Sequence, residues 1–170
     1  MRARIIKIAV VVAIALILLW RFWPHPIFKW LPDDIDSASK AVANVSISDI
    51  KNGKSRIDTY TMNEVNQDQL KEILGILDTS KYRRDWRNLV PWGLSSVHSG
   101  KKYDGRSVQI YIFFPVGDAE YGEYVAITYK GKDGIILYGK GIAGMRVYHP
   151  TNPETIDYLV GYLQANGVLQ

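Results

Sequence analysis

Three short constellations hold residue types capable of chemistry, and a fourth holds types that grip anions. His98 stands beside Ser95, Ser96 and Ser99, the types of a base and a nucleophile. No G-x-S-x-G elbow accompanies them, and an alternating strand explains the same spacing. Asp118, Glu120 and Glu123 gather carboxylates, as acid–base work requires, although a solvated loop before a strand has the same composition. Gly139-Lys140-Gly141-Ile142-Ala143-Gly144 matches G-x-G-x-x-G. A dinucleotide loop must open a helix whose N-terminus meets the pyrophosphate. Residues 145–149 read instead as extended, and Pro150 follows, so these glycines read as a connection between strands.

Metal and cofactor chemistry find no pattern. His25, His98 and His149 are far apart in sequence, without H-E-x-x-H or similar spacing, and there is no cysteine. Asp33, Asp34 and Asp36 lack the spacing of a calcium loop. Asn44-Val45-Ser46 is a glycosylation sequon, relevant only on a eukaryotic secretory route. No cofactor is expected.

The fourth constellation is KYRRDWRNLVPW, residues 81–92, with Lys81, Arg83, Arg84 and Arg87 among Trp86 and Trp92. Arginine forks suit phosphate and carboxylate, and tryptophan adds an amphipathic anchor. These six residues are the candidate anion or partner site. The competing reading packs both tryptophans over a sheet edge and leaves the arginines solvated.

Charge narrows the partner. The whole chain is formally +4. The first thirty residues hold five bases and no acid, and the rest holds 16 bases against 17 acids. A near-neutral body lacks the footprint of a nucleic-acid binder, so none is expected. Locally the body is polarised. Residues 81–106 carry a net +5, while residues 31–80 carry −4 and residues 107–170 carry −2.

The leader explains where the basic excess lies. MRARIIKIAVVVAIALILLWRFW reads as a retained transmembrane helix and not a cleaved signal, because bulky residues follow the apolar run where a signal peptidase needs small ones. Lys7 and Arg21 would snorkel to opposite interfaces, with Trp20 and Trp23 in an aromatic belt. Arg2, Arg4 and Lys7 before the span favour a cytoplasmic N-terminus. The expectation is a single-pass cytoplasmic-membrane protein, its C-terminal domain outside.

The elements that must position these residues follow. Residues 1–30 read as anchor, 31–43 as tether and 44–170 as one α+β domain. NVSISDI and SRIDTYTM flank Asn52-Gly53, a type I′ hairpin signal. Asn66 and Gln69 form a capping box before the stripe Leu70, Ile73, Leu74, Leu77. LSSVHS is a weak strand and RSVQIYIFF a strong one, placing Val108, Ile110, Ile112 and Phe114 on one face. EYVAITY and IILYG complete a meander. A last helix takes Asn152 as N-cap, Pro153 at its first position and Gly167 at its end, and buries Ile156, Leu159, Val160 and Leu163. The fold class is α+β, a mostly antiparallel sheet with helices packed on it behind the membrane helix.

This order across residues 44–170 resembles that of small uncharacterised α+β domains carried behind an uncleaved N-terminal anchor in bacterial envelope proteins. The resemblance implies an extracytoplasmic setting and brings no site residues. The expected function is a non-catalytic interaction module, an envelope accessory or immunity-type protein. Its partners would be the membrane and a protein or anionic envelope component. The alternatives are a small envelope hydrolase using Glu120 and Glu123 with His98, and the same domain facing the cytoplasm.

Overall fold

The computed structural model describes residues 2–51, 54–89, 105–115, 122–131 and 134–170. In chain order the elements are α1 (Arg2–Arg21), β1 (His25–Pro26), β2 (Lys40–Lys51), β3 (Lys54–Val65), α2 (Gln67–Asp78), β4 (Lys81–Arg84), β5 (Arg106–Phe113), β6 (Tyr124–Lys130), β7 (Ile135–Gly139), β8 (Ile142–Pro150), α3 (Glu154–Asn166) and β9 (Val168–Leu169). Short 3-10 turns cover Ile27–Trp30, Ile35–Ser37 and Trp86–Leu89. The strands form one nine-stranded sheet in the order β1-β4-β8-β7-β6-β5-β2-β3-β9, with every pair antiparallel.

Period-two alternation builds the core. One row of the register crosses five strands as Val45, Val108, Tyr129, Ile135 and Tyr148, all buried. A neighbouring row joins Ala43, Ile110, Ile127 and Leu137, also buried. Against these rows pack Leu70, Ile73, Leu74 and Leu77 of α2 and Ile156, Leu159, Val160 and Leu163 of α3. The α2 capping box forms as its sequence requires: Asn66 Oδ1 accepts from the Gln69 N–H, and Gln69 Oε1 accepts from the Asn66 N–H. A smaller cluster of Ile136 and Val147, with Tyr138 against it, is separate from this core.

Several boundaries move. The segment read as a tether is folded: Leu31, Ile35 and Ala38 are buried with Ile27 in the main core, and β2 already begins at Lys40. Asn152 accepts from the Glu154 N–H as a cap does, and Pro153 has helical angles, one residue ahead of the helix as bounded. Gly167 closes α3 in an extended conformation and leads into β9, which pairs with β3. The weak strand LSSVHS and the Asn52-Gly53 turn lie outside the described residues; Lys51 and Lys54 pair across that turn. The G-x-G-x-x-G motif spans the hairpin connection from β7 into β8, and strand, not helix, follows it directly.

The membrane helix expected from the leader is corrected. Among the described residues no helix is long and apolar enough to cross a membrane. α1 encloses Arg2, Arg4, Lys7 and Arg21, so its uncharged stretch is residues 8–20. At about 1.5 Å per residue that stretch rises roughly 20 Å, against roughly 30 Å of hydrocarbon. The single-pass, signal-anchor and inside-to-outside readings fall with it, as does the cytoplasmic-membrane location.

Candidate functional site

The described part of the basic stretch runs from an exposed strand into a partly buried turn. Its first four residues are β4, held between β1 and β8. Strand alternation buries Tyr82, whose hydroxyl donates to the Leu77 carbonyl at 2.6 Å, and leaves Lys81 and Arg83 exposed. Burial pushes the Tyr82 phenol well above its ordinary pKa, with the Asp78 charge adding to the effect. Arg84 stands opposite Tyr148 in the register and is partly buried. Trp86 is exposed on the next turn, and Asp85 is buried, its carboxylate 2.7 Å from His149 Nε2. That pair ties β8 to the residue beyond β4. Asn88 adds a second tie, its side chain accepting from the Val147 N–H and donating to the Val147 carbonyl. Trp92 and the Arg87 side chain lie outside the described residues.

Two clefts flank Arg84. The larger, about 500 Å³, lies between the end of α1 and β4. Leu19, Phe22, Trp23 and Pro24 line one side, and Lys81, Arg83 and Arg84 the other. So Trp23, read as part of a membrane belt, faces the same space as three residues of the basic stretch. The smaller, about 320 Å³, has Arg21, Lys29, Arg84 and Arg146 around Trp30 and Tyr148. Among the described residues no carboxylate lines either cleft.

The elements explain the second convergence. β8 carries Arg146 and Tyr148 two residues apart, hence on one face, and β4 brings Arg84 beside Tyr148. The Ile27–Trp30 turn delivers Lys29 and Trp30. Trp30 and Tyr148 rings stack with centroids 4.3 Å apart, and the Arg84 guanidinium lies 5.8 Å from the Trp30 centroid. Burial raises the Tyr148 pKa, with the neighbouring Arg84 and Arg146 charges opposing that rise. Lys29 Nζ donates to His25 Nε2 at 2.9 Å and stands 5.4 Å from the Trp20 centroid. Trp20 itself is exposed, as is Lys7. Sequence reasoning missed Lys29, Trp30, Arg146 and Tyr148, because each lies on a different element from the basic run.

Of the histidine–serine and carboxylate constellations only Glu123 is among the described residues. Glu123 sits 3.4 Å from Lys140, which also donates to Asp34 at 2.7 Å. These exposed groups form an ion-pair cluster joining the early turns to the β7–β8 hairpin. His98, Ser95, Ser96, Ser99, Asp118 and Glu120 lie outside the described residues. Among the described residues no group of three or more His, Asp or Glu side chains is placed to hold a metal ion. Compared with known proteins, the chain matches no family model, no curated protein and no solved structure.

Proposed function

We propose that the chain is a non-catalytic interaction module whose basic and aromatic face receives an acidic surface of a partner protein. The observation that carries this reading is the larger cleft. It sets Lys81, Arg83 and Arg84 against Phe22 and Trp23, with no carboxylate in its described lining. Arginine pairs with carboxylate in a planar, two-pronged geometry, and a neighbouring aromatic supplies area that excludes water. Trp23 is 64 % exposed and so is free to be covered.

The test uses a fluorescent oligoglutamate peptide as the acidic probe and anisotropy as the readout. The full chain binds it, more weakly as salt rises. Exchanging Lys81 and Arg83 for glutamate weakens binding by about tenfold or more, since like charges then face each other. Both side chains are exposed, so circular dichroism stays unchanged. Equal binding by wild type and the K81E/R83E variant would refute the reading.

A further inference from the structure

The smaller cleft shares Arg84 with the partner face but is otherwise a separate construction. Its cations come from four elements: Arg21 ends α1, Lys29 belongs to the Ile27–Trp30 turn, Arg84 ends β4 and Arg146 lies on β8. Bringing like charges to one place costs energy unless something of opposite sign is shared among them. Three of the four have local partners, and those partners carry no negative charge: Arg84 lies over the Trp30 ring and hydrogen-bonds with Tyr148. Arg146 donates to the Asn88 carbonyl at 3.3 Å, and Lys29 donates to the His25 imidazole. The neighbouring His25 registers the field directly: burial, then Lys29, Arg84 and Lys81, hold its pKa below the ordinary value. Trp30, one wall of the cleft, carries a further unmet need. Its indole N–H is buried and has no acceptor among the described residues, a state that costs about 1–3 kcal/mol.

We infer that this cleft is a binding site for a small phosphate polyanion of the diphosphate class. Charge decides between phosphate and carboxylate. A single carboxylate leaves most of the four cations unmatched, whereas two phosphate groups together bring roughly three to four negative charges. Size agrees. The cleft of about 320 Å³ holds roughly ten water-sized groups, about the heavy-atom count of a diphosphate. The Arg84 and Arg146 forks supply paired donors to phosphate oxygens, and Lys29 adds a point charge. Gly141, Ile142 and Ala143 also line the cleft and bring no carboxylate.

Inorganic pyrophosphate is the probe, titrated into the full chain by calorimetry at fixed ionic strength, with citrate as a polycarboxylate control. Saturable one-to-one binding is expected, tighter for pyrophosphate than for citrate. R146Q weakens it by roughly tenfold or more, the loss of a hydrogen bond to a charged group. K29Q, on a different element, weakens it similarly and serves if R146Q fails to fold. K81E/R83E leaves Arg21, Lys29, Arg84 and Arg146 in place and retains most of the pyrophosphate affinity while losing the oligoglutamate probe. The two sites therefore fail separately. No saturable heat with pyrophosphate, equal affinity in folded R146Q and K29Q, or a preference for citrate would each overturn the assignment.

Discussion

An added proton is disfavoured at His25. Its pKa lies below 6.5 because partial burial penalises the cation and because Lys29, Arg84 and Lys81 repel it. The hydrogen bond agrees: the Lys29 ammonium is a donor, so His25 Nε2 must be the unprotonated nitrogen that accepts it. The unfolded chain takes up the proton at the ordinary value, and the folded chain does so at lower pH. The His25 contribution to stability is therefore complete above 6.5 and is lost as pH falls through the lowered folded value. Unfolding titrations at about pH 7 and about pH 5 check this, because H25Q lacks the proton site and shows a shallower acid slope than wild type. Imidazole resonances followed by NMR give the same information directly. Their midpoint lies below 6.5 and climbs toward it with added salt, as the repulsion from Lys29, Arg84 and Lys81 is screened. A midpoint at or above 6.5 at low salt would remove the positive field on which both clefts depend.

Two glycines in different elements have opposite expectations. Gly75 lies inside α2 on its exposed side, and a methyl group there meets nothing within 4 Å. G75A spares backbone entropy and raises stability by about 0.5–1 kcal/mol. Gly139 ends β7 at φ +114°, and a Cβ would run into the Tyr124 carbonyl across the ladder. G139A costs at least about 1–3 kcal/mol in backbone strain alone. Urea unfolding midpoints separate the two, and a neutral G139A would mean that the β7–β8 connection adapts freely. The same elements show what was readable in advance. α2, α3 and the β5–β6–β7 meander declare themselves because their apolar residues repeat at 3.6 or at 2 over enough positions to be counted. β1 and β9 are two residues each and β4 four, too short for any period. The buried Ile27 and Ile35 open short 3-10 turns and Leu31 and Ala38 close them, without a period to count, so their polar neighbours made the segment look solvated. α1 was misread by treating its terminal charges as flanks when they belong to the helix. The basic run was visible as composition. Its division between an exposed edge and an inward Arg84 depends on pairing with β8, which no local pattern encodes.

The molecule as a whole is a near-neutral sheet domain with one group of cations brought together at an edge of the sheet. There the end of α1, β1, β4 and β8 meet around Arg84. α1 stands apart from the rest in its packing. Side chains from Ile5 to Leu19 are exposed, and none of them belongs to the core. Six residues past the Arg21 end of α1, Ile27 is 1 % exposed and Leu31 follows at 6 %. The border between dispensable and structural chain therefore falls between Trp20 and Ile27. Removing residues 1–20 takes no core side chain away, so the unfolding free energy stays within about 0.5 kcal/mol of the full chain. The shortened chain also self-associates less in sedimentation, because a large apolar surface has gone. I27A in the full chain makes the opposite change, leaving α1 intact and emptying a core position at a cost of about 2–5 kcal/mol. Paired melts of the two variants decide the point. A large loss on removing residues 1–20, or a small one for I27A, would place the border elsewhere. It would also mean that Arg21 and Trp23 reach their clefts by packing of α1 and not by the fold of residues 27–38.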